Sequence, residues 1–210
     1  MSHSMTYATL KEDIETYCER HDDPFLTQIP RFIALAEHRI AAEVHGLGYL
    51  RFVTDNLVQG DPVIAKPARW RETTSFTIGT GTGSNTRVVL FNRTYEYIRT
   101  FWPDSTQEEQ PRYYGDYDYQ HFIVAPTPSS AYPFELVYHE MPEPLSDDNQ
   151  TNWTTEYAPQ LLIYASLLET APFLKNDERM AVWTNMYGQA KAAIEQESAR
   201  RFGDRSTAPR

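Results

Sequence analysis

The stretch Tyr157–Ala171, YAPQLLIYASLLETA, decides the fold class. Leu161, Leu162, Ile163, Tyr164, Ala165, Leu167 and Leu168 leave no polar stripe, so a helix here must be covered on most of its sides. It is too short, and too closely flanked by charge, to span a bilayer. Pro159 suits its first turn, where a missing N–H matters least, and Pro172 is expected to stop it. Asn176-Asp177-Glu178 then opens a second helix with carboxylates at its positive end. Met180, Trp183, Tyr187, Ala190 and Ile194 recur at steps of three and four, so they share one face. The two helices read as an antiparallel hairpin around which the chain is organised.

Working outward, the N-terminal segment repeats this logic. Thr9-Leu10-Lys11-Glu12 has the capping-box pattern, and Tyr7, Leu10, Ile14 and Tyr17 share a helical face. Asp22-Asp23-Pro24 breaks that helix. A second helix starts near Thr27–Pro30, with Ile29, Ile33, Ala36 and Ile40 as its stripe and Glu37, Arg39 and Glu43 off it. Gly46 and Gly48 end it. From Tyr49 the texture turns to β-branched and aromatic residues separated by turn signals. Tyr49–Val58, Thr73–Ile78, Thr86–Phe91, Tyr113–Tyr119, Phe122–Ala125 and Phe134–His139 read as strands, and Tyr95–Phe101 as a short helix. The expected class is therefore α+β. Residues 1–48 and 142–203 form one discontinuous helical bundle domain, because each apolar face needs a partner. Residues 49–141 form an inserted antiparallel β domain, and residues 204–210 a mobile tail.

Composition narrows the function classes. The chain has 210 residues and a formal net charge of -10, which argues against a surface built to grip nucleic acid. The single cysteine, Cys18, excludes an intrachain disulfide. No apolar run is long enough for a membrane span. The N-terminal residues lack the order of a secretory signal, and Met5-Thr6 would serve as a start equally well.

The search for chemistry finds little. The Gly79–Asn85 loop lacks a Gly-Lys-Ser/Thr ending and runs into a strand, so it reads as a hairpin loop rather than a phosphate cradle. Among His3, His21, His38, His45, His121 and His139, none sits in a zinc motif. His38 and His45, seven apart, suggest at most a weak metal site. Asp116 and Asp118 would share a strand face among Tyr113, Tyr114, Tyr117 and Tyr119, an arrangement a glycan-cleaving or glycan-binding groove could use. The same tyrosines suit a protein interface, since tyrosine covers area at low entropic cost, and that reading is preferred. Ser75 and Ser166 lack a nucleophile-elbow setting. No catalytic, cofactor or metal site is expected.

Several phrases, taken in order, carry a resemblance. They are MTYATLKEDI at 5–14, IPRFIALAEHRI at 29–40, PRYYG at 111–115 and FIVAPTP at 122–128. YPFELVYHEMPEPLSDDNQTNW at 132–153 and APQLLIYASLLETAPFLKNDERMAVW at 158–183 complete the series. Together these resemble the head-to-tail adaptor (head completion, or tail tubular) proteins of tailed bacteriophages, most strongly from Pro111 to Trp183. The resemblance implies helices from both chain ends with a β insertion, no reaction and no cofactor. It implies a closed ring of about twelve copies with heterologous contacts. Such a ring binds beneath the portal protein, presents a platform to a downstream tail or nozzle protein, and passes DNA without gripping it. The site would be the virion's head–tail junction, with synthesis in the host bacterial cytoplasm and no membrane partner. The resemblance also implies a C-terminal segment that reaches the portal, here Arg200, Arg201, Arg205 and Arg210 against Asp204. Arginine's planar fork suits paired carboxylates across an interface. Tyr113, Tyr114, Tyr117 and Tyr119 are then expected at a subunit or tail interface. The alternatives are the glycan module already described and a single-stranded nucleic-acid binder, which lacks basic residues in that segment.

Overall fold

The structure is a computed structural model of the chain that describes residues 5–44, 47–79, 86–174 and 178–202. In chain order it has helices α1 (Tyr7–Cys18), α2 (Asp23–Leu26) and α3 (Ile29–Glu43), then a 3-10 turn at Leu47–Tyr49. Strands β1 (Leu50–Asn56), β2 (Val63–Ala65), β3 (Trp70–Ile78), β4 (Val88–Val89) and β5 (Phe91–Asn92) lead to helix α4 (Tyr95–Phe101). Strands β6 (Glu108–Glu109), β7 (Tyr113–Asp116), β8 (His121–Ala125), β9 (Thr127–Pro128) and β10 (Pro133–Glu140) follow. Helices α5 (Trp153–Tyr157), α6 (Pro159–Glu169), α7 (Ala171–Leu174) and α8 (Met180–Phe202) complete the chain. The class is α+β. Two compact units emerge, one of Met1–Tyr49 with Met141–Arg210 and one of Leu50–Glu140.

In the helical unit α6 is the central element, packed against α1, α3 and α8. Leu161, Leu162, Ala165 and Leu167 are almost wholly buried, as an all-apolar helix requires. The helix is shorter than the quoted stretch. Tyr157 closes α5 and is exposed, and the backbone breaks at Ala158 before Pro159 restarts it. Pro172 does not stop α6. The chain turns at Thr170, whose hydroxyl donates to the Leu167 carbonyl at 2.7 Å, and Pro172 lies inside α7. From α8, Trp183 and Tyr187 are buried in the shared core, with Met180, Ala190 and Ile194 half-buried around them. Of the residues expected to open α8, Asn176 and Asp177 lie outside the described residues, and Glu178 falls in the turn before Met180.

The N-terminal expectations shift by small steps. The capping box belongs to Thr6 and Thr9, which exchange side-chain and backbone bonds at 3.2 and 2.8 Å, because Thr9 is the third helical residue and not the cap. Cys18, one step of four beyond Ile14, completes the buried stripe, and Tyr17 is exposed. Pro24 occupies the first turn of α2, a helix the Asp-Asp-Pro signal did not suggest. Gly48 permits a close approach: a Cβ there would sit 1.9 Å from the Trp153 ring. Trp153 in turn meets the Tyr49 ring edge-on at 4.9 Å.

Glu37 departs most from its expectation. It is buried, not on the wet side of α3, and its carboxylate accepts from the Leu145 N–H at 3.2 Å and the Asn152 amide at 2.8 Å. Asn152 also caps α5 through the N–H groups of Thr154 and Thr155. The irregular return segment 141–152 is thereby pinned to α3. Its Gln150 carbonyl and side chain accept from the Tyr7 and Ala8 N–H groups in the first turn of α1. Burial pushes the Glu37 carboxyl up to about 7 even though two donors favour its charge.

The β unit has two four-stranded sheets, ordered β1-β10-β3-β4 and β2-β8-β7-β5, with β6 paired to β9. It is not wholly antiparallel, because β5–β7 and β6–β9 run parallel. The expected strand Thr86–Phe91 divides at buried Leu90, so that Val88–Val89 joins the first sheet and Phe91–Asn92 the second. Phe76 stands in the core with the rings of Tyr114, Phe134 and Phe122 at 5.3, 5.4 and 5.9 Å. Alternation along β7 and β8 sends Tyr114, Phe122 and Val124 into that core and Tyr113, Ile123 and Ala125 to the opposite face. Helix α4 covers this second face through Ile98. Gly115 makes room for it, since a Cβ there would lie 2.3 Å from the Arg93 carbonyl.

Candidate functional site

The Tyr113–Tyr119 segment is less uniform than its composition implies. Strand β7 ends at Asp116, and residues 117–120 turn the chain toward β8. Asp116 and Asp118 therefore do not share a strand face. Asp116 ion-pairs with Lys66 Nζ at 2.6 Å. The Lys66 side chain is only 5% exposed; its ammonium also donates to the Asp118 carbonyl at 2.9 Å. It lies 4.2 and 4.9 Å from the ring centroids of Trp70 and Phe122. Asp118 closes the turn by accepting from the Gln120 and His121 N–H groups at 2.6 and 2.7 Å. The His121 ring at 2.9 Å and these N–H groups hold its carboxyl below the ordinary range. Both carboxylates thus have structural partners, and they do not face each other across a cleft.

The tyrosines divide by the pleat. Tyr114 is 7% exposed and belongs to the core, which removes it from the expected interface set. Tyr113, Tyr117 and Tyr119 remain on the surface, with Tyr119 84% exposed. Helix α4 adds the residues that the sequence reading missed. Tyr113 meets Trp102 at 5.1 Å and Tyr97 at 6.0 Å, Tyr97 meets Phe101 at 4.6 Å, and Tyr95 meets Tyr117 at 5.8 Å. The Arg93 guanidinium lies 5.5 Å from the Tyr97 centroid and 5.6 Å from that of Tyr113. Arg99 stacks 5.4 Å over Tyr95. The signal was the run Tyr95-Glu-Tyr-Ile-Arg-Thr-Phe-Trp102, whose aromatics fall on the turns facing β7. Rings that buttress one another with arginines laid across them are what protein contact sites favour, because little rotamer freedom is left to lose.

At the other end of the chain, Arg200 and Arg201 occupy the last turn of α8, where the helix dipole favours cations. Arg200 is exposed, and Arg201 pairs with Glu197 one turn back. Arg205 and Arg210 lie outside the described residues, as do His45 and residues 80–85 of the glycine loop. His38 is exposed on α3. No group of three His, Cys, Asp or Glu residues among the described residues is placed to hold a metal ion. No described helix is long and apolar enough to cross a membrane.

An α+β fold with a surface of rings and arginines occurs in many classes of protein, and family membership decides among them. Comparison with family models is specific on the point: a model described as SU10 adaptor protein matches residues 5–210. The chain belongs to this family of phage head-to-tail adaptors. A search of curated proteins gives no match.

Proposed function

We propose that the chain is a non-enzymatic virion protein that self-associates into a ring joining the phage portal to the tail and leaving a channel for DNA. The observation that carries this reading is the adaptor family match from residue 5 to residue 210, which takes in both units. The resemblance to phage connectors implies about twelve copies, in head-to-tail contacts of the heterologous kind that close into a ring when the rotation permits. One end engages the portal and the other a downstream tail or nozzle protein. The acidic balance suits a channel that must release phosphates. The C-terminal arginines Arg200, Arg201, Arg205 and Arg210 help to lock the adaptor to the portal through salt-sensitive ion pairs. Tyr113, Tyr117 and Tyr119 lie at a contact with a neighbouring copy or the tail. Electron microscopy of the protein mixed with its cognate portal tests the reading. A second ring stacked on the portal is expected. Portal rings that remain bare at high adaptor concentration would overturn it.

A further inference from the structure

The two four-stranded sheets of the β unit have four outer strands among the described residues, and three of them are blunt. β2, β4 and β5 have only three, two and two residues. β1 is different: it runs seven residues, Leu50–Asn56, and pairs with β10 alone. Its register is unbroken from Leu50 opposite His139 to Asn56 opposite Pro133. It carries no proline, lysine or bulge, the devices that usually spoil an edge for a second strand. The register also says which backbone groups face outward. The Leu57 N–H donates to the Tyr132 carbonyl at 2.8 Å, in step with the β1–β10 pairing. Counting back in twos, the groups of Asp55, Val53 and Arg51 turn to β10, and those of Asn56, Thr54, Phe52 and Leu50 turn to the open edge. Two of the outward groups are answered within the strand. The Asn56 N–H donates to Asp55 Oδ1 at 2.8 Å, and the Leu50 carbonyl accepts from Arg51 Nη1 at 3.0 Å. Among the described residues, the stretch left open is Phe52-Val53-Thr54. Phe52 is 71% exposed, beside a groove of about 250 Å³ lined by Leu50, Arg51, Glu135 and Val137.

We infer that β1 of one free copy pairs with β1 of a second copy, antiparallel and about a two-fold axis at Val53. Phe52 then faces the partner's Thr54, and Thr54 the partner's Phe52. Each pair exchanges two N–H···O bonds, so the open groups answer one another completely. Centring on Phe52 or Thr54 instead would set Thr54 against Leu50, or Phe52 against Asn56, where one group is already taken. The same register is complementary in charge, since Arg51 comes opposite the partner's Asp55 at both ends. Neither side chain is idle within one copy: Arg51 Nε lies 3.6 Å from Glu140, and Asp55 holds the Asn56 N–H. A guanidinium has five donors and a carboxylate two oxygens, so each keeps its partner and gains another. The two Phe52 rings meet diagonally at the axis, within the reach of aromatic side chains. A strand that complements itself in backbone groups and in charge selects a second copy as its occupant. The contact is small, so association is weak and reversible. It is reciprocal and uses the β unit alone, and it stands apart from the head-to-tail contacts of the ring.

Sedimentation equilibrium of the free protein from roughly 10 μM to 1 mM, the range of weak association, reads the pairing. Salt near 0.15 M, about physiological, screens the net charge of -10. Arg51→Asp and Asp55→Arg each set like charges opposite one another across the axis. Each variant alone should associate on the order of tenfold more weakly than wild type. Mixed in equal amounts, the two should pair as wild type does, since each then offers the charge the other lacks. Circular dichroism checks that both remain folded. Should Arg51→Asp lose its fold beside Glu140, amide exchange of the wild-type chain decides. The Phe52 and Thr54 amides should gain protection as concentration rises, while those of Arg51, Val53 and Asp55, bonded to β10, stay protected throughout. A wild-type chain that stays monomeric, with Phe52 and Thr54 amides indifferent to concentration, overturns the pairing. Association that neither variant weakens, or that the mixture fails to restore, overturns it too, and leaves the ring reading standing.

Discussion

The helical and β units solve the problem of burying apolar surface in different ways. In the helical unit the core is mostly aliphatic, and its polar groups turn inward to hold it together. Glu37 pins the return segment, and Arg39 reaches Glu169 at 2.6 Å between α3 and α6. Tyr187 donates to Glu43 at 3.0 Å between α8 and α3. In the β unit half of the main core cluster is aromatic, and a second aromatic layer continues outward through Tyr113, Tyr97 and Phe101 to solvent. One region spends its side chains on its own stability, and the other keeps a preorganised surface. The helical unit should therefore be sensitive to changes in its interior, and the β unit's outer layer should be nearly silent in stability but not in association.

The largest effect expected is in the helical core. Trp183→Ala should cost about 3–5 kcal/mol, the range for buried large-to-small changes. Chemical denaturation measures it, and an unchanged midpoint would place the indole outside the core and break the comparison.

Next comes Glu37. Its folded value near 7 stands above the ordinary 4.5, so the native state holds a proton that the unfolded chain has released between these values. Stability from this group is complete below about pH 4.5 and is lost as pH rises through about 7, by roughly 3 kcal/mol at 1.36 kcal/mol per unit. The neighbouring phenols of Tyr7 and Tyr49, both pushed up by burial, stay protonated throughout. Glu37→Gln keeps an acceptor for Leu145 and Asn152 and should flatten the dependence. Denaturation curves across pH 5–8 that run parallel for both proteins would contradict this.

A smaller loss is expected at the seat of α4. Gly115→Ala puts a methyl group against the Arg93 backbone carbonyl, so α4 must shift, at about 1–3 kcal/mol for overpacking. Its sharper consequence is that the aromatic face should move with α4 and association should weaken with it. The smallest effect on stability belongs to the C-terminus. Ending the chain at Ala199 should change it by no more than about 0.5 kcal/mol, as for surface changes. Binding to portal rings should nonetheless fall at low salt and less so at moderate salt. Equal binding at both salts would confine docking to the folded surfaces.

What the sequence made legible follows the same division. Stripes such as Leu10 and Ile14, or Trp183 and Tyr187, are local and repeat every three or four residues, so a reader finds them without knowing the neighbours. Glu37 could not be found this way. It looks like one more polar residue on a wet face until the return segment, more than a hundred residues on, brings Leu145 and Asn152 to it. In the β unit the longer strands announced themselves, but β2, β6 and β9 are too short for any period to register. Pairing of β1 with β10 joins residues far apart in sequence, such as Val53 and Leu136. The tyrosines of residues 113–119 were visible as a cluster, but which of them faces out depends on the pleat. Tyr113 and Tyr114 differ by one residue and end on opposite sides. The aromatics of α4 were read as part of a short helix because their partner, β7, is not adjacent in sequence.

Hydrogen–deuterium exchange of the full chain, free and bound to portal rings, tests most directly whether stability and assembly reside in different layers. The account predicts new protection in the outer aromatic layer, residues 93–102 and 112–119, and in the residues after 199, with the core of α6 equally protected in both states. Protection confined to the residues after 199 would contradict it, as would a change across α6.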